Sequence, residues 1–180
     1  MNFKKRLEEF TGKRKIFAVL IILVLTAAVI YSIIFLNSNF FGEEDIIKVF
    51  FSTEDAMYLK SETRDIDQEM DPYMQTIEEL KSGPEDDSLR TTIPEGVELI
   101  EYKIKDKNIT LNFNDELREN HWGGSAGETL TVYSIVNSYT FFEEIDSVTI
   151  ILEGEEIDSL VGHLDLTGPL MYNQKLVMEE

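Results

Sequence analysis

Ser125-Ala126-Gly127-Glu128-Thr129-Leu130-Thr131-Val132-Tyr133-Ser134-Ile135-Val136-Asn137-Ser138-Tyr139-Thr140 is the stretch on which the fold class turns. Thr129, Thr131, Val132, Ile135 and Val136 favour a strand, yet Val132, Ile135, Val136 and Tyr139 fall on one face of a helix. Ser125-x-x-Glu128 decides for the helix. It has the pattern of a capping box, in which a serine hydroxyl and a glutamate carboxylate satisfy the free amides of a first turn. The apolar face then covers a sheet and leaves Thr131, Ser134 and Ser138 toward solvent or a neighbouring subunit, which makes these three the candidate interaction residues.

Outward from this helix the signals are those of an α+β domain. Upstream, Ile100, Tyr102 and Ile104 alternate with charged residues, Asp106-Lys107-Asn108 turns the chain, and Ile109, Leu111 and Phe113 alternate again. That is a β-hairpin with one buried face. Asp71-Pro72 reads as an N-cap followed by proline at the first helical position; Tyr73, Ile77 and Leu80 share a face and Gly83-Pro84 ends the helix. Ile46–Phe51 predicts a strand buried on both sides, followed by a short one over Tyr58–Arg64. Residues 85–96, broken by Pro94 and Gly96, predict a loop. Downstream, Val148–Leu152 predicts a last strand and Ile157–Leu166 a less regular return.

Further out lies the membrane signal. Ile16 to Leu36 is an uncharged run of 21 residues, about 31 Å long as a helix and enough to cross the hydrocarbon core. Lys13, Arg14 and Lys15 precede it while Glu43, Glu44 and Asp45 follow, so the N-terminus is expected in the cytoplasm. A cleavable signal peptide would have a shorter apolar region and small residues at the cleavage site, which Phe35-Leu36-Asn37-Ser38-Asn39-Phe40 lacks. The predicted plan is a basic cytoplasmic tail (1–15), a transmembrane helix (16–36), a linker (37–45), an extracytoplasmic domain (46–172) and a C-terminal tail (173–180).

The charge balance excludes one class of partner. Of the 16 basic residues six lie in the first fifteen positions; beyond Leu36 ten basic residues face 33 acidic ones, a net of −23. Such a surface repels nucleic acid and anionic lipid head groups. With no cysteine there is no disulfide, thiolate metal site or thiol nucleophile.

Chemistry-bearing motifs are few. His121 and His163 have no partner at a metal-ligand spacing. His121-Trp122-Gly123-Gly124 precedes the predicted helix start, where free amides could hold an anion or a sugar could stack on the Trp122 ring; the alternative is a tryptophan closing the edge of the core. Glu85-Asp86-Asp87 lacks the glycine and distal glutamate of a calcium loop and reads as a solvated acidic turn. No set of nucleophile, base and transition-state stabiliser can be assembled. The expectation is a protein without cofactor, metal or catalytic residues.

Four strings in order resemble one family: Thr76-Ile77-Glu78-Glu79-Leu80-Lys81-Ser82-Gly83-Pro84, Leu89-Arg90-Thr91-Thr92-Ile93-Pro94-Glu95-Gly96-Val97, Ile109-Thr110-Leu111-Asn112-Phe113-Asn114 and Gly124-Ser125-Ala126-Gly127-Glu128. Together they resemble the GerMN domain of sporulation and spore germination, over roughly Ile46 to Leu170. The resemblance implies a non-enzymatic envelope domain similar to the ring-building motifs of secretion systems, a small mixed sheet with two helices packed on one face. It also implies association with the channel complex between mother cell and forespore, or with germination. Some members carry two copies or a lipid-bearing cysteine; this chain has one copy and no cysteine. The expected function is a membrane-anchored, extracytoplasmic interaction module whose partners are the cytoplasmic membrane, other envelope or sporulation proteins and copies of itself. The alternative is a cell-wall or small-ligand binding domain using His121 and Trp122.

Overall fold

The computed structural model describes Thr26, Tyr31 and residues 46–178. Thr26 and Tyr31 are helical; the rest of the predicted span 16–36, with the basic tail and the linker, lies outside the described residues. Among the described residues no helix is long and apolar enough to cross a membrane.

The elements are β1 (Ile46–Thr53), β2 (Leu59–Asp65), α1 (Pro72–Ser82), β3 (Leu89–Arg90), β4 (Leu99–Lys105), β5 (Asn108–Phe113), α2 (Glu116–Glu119), α3 (Ser125–Tyr139), β6 (Ser147–Leu152) and β7 (Glu155–Glu156), with a 3-10 turn at Gln174–Leu176. The start of α1 is built as its sequence requires. Asp71 Oδ1 accepts from the amides of Tyr73 and Met74 at 3.0 Å each, Pro72 takes the position whose missing N–H costs nothing, and Gly83 at φ 87° ends the helix. Tyr73, Ile77 and Leu80 are its buried face.

The α+β class stands, but the strands form two sheets rather than one small mixed sheet. β2-β1-β3 is antiparallel, and β4-β5-β6-β7 is mixed, with β5 and β6 parallel. β1 cannot join β5, whose two edges are already taken by β4 and β6. Instead, the Phe50 amide of β1 donates to Ser138 Oγ on α3 at 3.2 Å. Across β1 and β2 three buried apolar residues face charged ones: Ile47 opposes Arg64, Val49 opposes Glu62 and Phe51 opposes Lys60, while Phe50 opposes Ser61.

The hairpin of β4 and β5 has one correction. Ile109, Leu111 and Phe113 are fully buried, but Ile100 and Ile104 are 50% and 42% exposed. A bulge between Leu99 and Glu101 hands the inward place opposite Phe113 to Leu99 and turns Ile100 out, while β4 runs at the sheet's edge where the core ends.

α3 begins and ends where its sequence predicts, and Val132, Ile135, Val136 and Tyr139 are fully buried. Its other flank is buried too. Leu130 joins Phe50 and Leu59 in a second apolar cluster, and Thr131, Ser134 and Ser138 are closed off from solvent. These three therefore cannot meet a neighbouring subunit. Their small side chains let β1 and the 91–93 loop approach, and their hydroxyls bond what approaches: Thr131 Oγ1 donates to the Thr92 carbonyl at 2.8 Å, and Thr92 Oγ1 donates to Ser134 Oγ at 2.7 Å. Residues 173–178, predicted as a tail, pack on this same flank.

Candidate aromatic site and its supporting loop

The capping box is absent although the helix it predicts is present. Gly124 is the N-cap, Ser125 occupies the first turn without a side-chain cap bond, and Glu128 reaches away from the helix start. The Glu128 carboxylate is fully buried. Its Oε1 accepts from the amides of Leu160 and Val161 at 2.9 and 3.0 Å, and its Oε2 accepts from that of His163 at 2.7 Å. One side chain thus fixes the irregular 157–166 return, in which Leu160 and Leu166 enter the core.

Ahead of the helix the two residues of the candidate ligand loop meet. His121 and Trp122 stack with ring centroids 5.1 Å apart and planes 22° from parallel. The Gly123 amide donates to His121 Nδ1 at 2.9 Å, so the proton of the neutral ring sits on Nε2, which bonds Thr131 Oγ1 at 3.1 Å. The Thr131 hydroxyl in turn donates to the Thr92 carbonyl. The imidazole is therefore fixed from both ends, and the indole lies on a fixed base.

Gly127 leaves the room that the indole occupies. A Cβ there would stand 2.7 Å from Trp122 Nε1 and 3.0 Å from Cδ1, closer than any side chain tolerates. Trp122 does not close the core edge, because 55% of it is exposed. It forms the ridge between two grooves. One, about 350 Å³, is lined by Ser52, Thr53, Thr92, Gly127 and Leu130; the other, about 510 Å³, by Lys81, Pro94, Gly96 and Asn120. An exposed, immobilised indole between grooves suits stacking against a flat apolar face such as that of a sugar ring.

Gly127→Ala is expected to push the indole off His121 and shift the emission of this sole tryptophan, while the helix itself gains up to about 1 kcal/mol from the better helix former. Fluorescence and a denaturation curve on the same sample separate the two effects. A pH dependence follows from the imidazole as well. Burial pushes the His121 pKa below its ordinary 6.5. The unfolded chain then takes up the proton first, so the stability contributed by neutral His121 is full above pH 6.5 and falls as pH drops toward the folded-state value. Protonation makes Nδ1 a donor and breaks the Gly123 bond, so acid titration should change Trp122 fluorescence with a midpoint below 6.5 and a His121→Gln variant should show no such step.

Elsewhere the acidic 85–87 turn is tied down internally: Glu62 accepts from the amides of Glu85 and Asp86, and Lys60 pairs with Asp86 at 3.2 Å. Among the described residues no group of histidine or carboxylate side chains is placed to hold a metal ion.

The domain thus combines two small sheets with two main helices, and a buried carboxylate of the longer helix gathers the return loop. Residues 48–158 match the family described as Germane, sporulation and spore germination, and the chain belongs to that family. The tandem GerMN domains of the sporulation protein GerM from Bacillus subtilis are similar at 26% identity and a TM-score of 0.59, over 74% of this chain and 46% of that one. The chain thus spans less than half the length of that tandem structure. The first GerMN domain of the same protein shares the fold, with a TM-score of 0.60 at 19% identity over 72% of this chain and 98% of that one. A candidate lipoprotein from Clostridium perfringens matches at 25% identity and a TM-score of 0.52, over 70% of this chain and 86% of that one. No curated protein sequence matches the chain.

Proposed function

We propose that this protein is a membrane-anchored interaction module of a sporulation or germination complex in the cell envelope. The family match over residues 48–158 carries the reading. The similarity to a candidate lipoprotein supports an envelope location, and the uncharged run at 16–36 behind Lys13-Arg14-Lys15 supplies the anchor and its orientation. Anchoring in two dimensions raises the effective concentration of partners, so weak contacts suffice. A protease added outside intact protoplasts is expected to remove the domain from about Asn39 onward and leave a small membrane-bound fragment; full protection would reverse the orientation. Deletion of the gene is expected to impair sporulation or germination, and an unchanged course of engulfment, spore formation and outgrowth refutes the assignment.

A second reading is favoured by one observation, the exposed indole of Trp122 on its His121 base. In it the domain binds cell-wall glycan. Soluble wall fragments are then expected to quench or shift Trp122 fluorescence in the wild type and not in the Gly127→Ala variant, whereas a pure assembly module gives no response to them.

A further inference from the structure

Residues 170–178 lie beyond the segment matched by the family, yet they close a groove within it. Leu170 exchanges both backbone hydrogen bonds with Val148 at 2.8 Å, which fixes the start of this strap. Past it, the fully buried Asn137 of α3 grips a single peptide unit pair: its Oδ1 accepts from the Asn173 amide at 2.9 Å and its Nδ2 donates to the Asn173 carbonyl at 3.4 Å. Both bonds go to main-chain atoms and so do not depend on the side chain at that position, proline excepted. The Met178 amide donates to the Leu59 carbonyl at 2.9 Å, beside a parallel bridge between Val177 and Leu59. Leu176 and Val177 cover Phe50, Leu59 and Leu130, and Tyr172 meets the Phe50 ring edge-on at 6.0 Å.

Main-chain bonds along a sheet edge, with pockets for a few side chains, are how an extended segment is recognised by strand addition. The cover is thin. Tyr172, Gln174, Lys175 and Met178 are exposed, and Leu176 and Val177 are only half-buried. A strap with so little buried surface opens locally at far lower cost than the strands of the core.

We propose that this groove is an exchange site between copies of the chain, entered in trans by residues 172–178 of a second copy. The occupant is set by the fit already present. Tyr172, Leu176 and Val177 match the pockets, and the same bonds form whether the strap comes from its own domain or another. The two arrangements differ mainly in effective concentration, so crowding of copies favours exchange, and Met171, 67% exposed, is the pivot after the fixed Leu170.

The chain has no cysteine, so exposed positions can be joined selectively. Full-length Tyr58→Cys and Met178→Cys variants, each altered at an exposed residue flanking the Leu59–Met178 bond, are mixed at rising concentration and treated with a short bis-maleimide. Each single variant, treated alone, reports the collisional background, and the double variant in one chain confirms that the linker spans the bond. The expected result is a mixed dimer several-fold above a Tyr58→Cys and Glu155→Cys control pair, suppressed by excess peptide spanning Pro169–Met178. A yield no higher than the control, or one that the peptide leaves unchanged, overturns the proposal.

Discussion

Glu128→Ala is expected to destabilise the domain by on the order of 4 kcal/mol, since hydrogen bonds to a charged group contribute about 1.5–3 kcal/mol apiece and their losses at one site do not simply add. The amides of Leu160, Val161 and His163 lose their acceptor together, and the turn that carries Leu160 into the core loses its attachment. Glu128→Gln discriminates between two roles. At N3 of a capping box glutamine serves as well as glutamate, so a cap would make the variant silent. In the observed geometry the carboxamide must turn an N–H toward one of the amides, and a loss of about 1–3 kcal/mol is expected. Urea denaturation midpoints of the two variants at constant slope decide the matter.

Leu111→Ala is the second large effect, about 2–5 kcal/mol by the cost of emptying a fully buried leucine site. Leu111 sits on the middle of β5 between Tyr102 and Ile150 with no exposed surface, where neighbours on both sides prevent collapse into the space. Thr110, one residue away on the opposite face and only half-buried, should cost far less on truncation. Equal denaturation midpoints for the two alanine variants would place β5 one residue out of register.

What the sequence made legible was whatever depends on local chemistry. The limits of α1 follow from Asp71, Pro72 and Gly83, and those of β5 and β6 from alternation and the turns beside them. The helix over Ser125–Tyr139 is present without the capping box that predicts it, because serine followed by glutamate at the right spacing looks the same whether the carboxylate folds back or leaves to gather a distant loop. Its apolar face is buried as its spacing predicts, but the opposite flank is buried too, for a related reason. Periodicity assumes one wet side, and α3 has almost none; Thr131, Ser134 and Ser138 are polar because their neighbours are close and need acceptors and donors. The signal that could have found this is their size, since small hydroxyl residues in the middle of a helix are as suited to close packing as to solvent. The split into two sheets depends on which strands find free edges, and the exposure of Ile100 on a one-residue bulge. Neither is encoded in any single run of residues. Of the candidate site, the pairing of His121 with Trp122 was visible as adjacency, while the room that Gly127 leaves for the indole was not, because that contact is made across a turn.

The cross-strand pairing of β1 with β2 has a consequence for how the chain comes to be folded. Synthesis delivers β1 first, but its Phe50 amide waits for Ser138, 88 residues later, and β5 waits for β6 across a crossover of similar kind. Throughout that interval the nascent hairpin holds Ile47, Val49 and Phe51 with α1 but without α3 to complete their cover, a short apolar strand of the sort that recruits other chains. Arg64, Glu62 and Lys60 stand directly opposite those three residues, alternating in sign along the partner strand. Charges so placed beside an apolar strand are of the kind expected to keep an early hairpin solvated until α3 arrives.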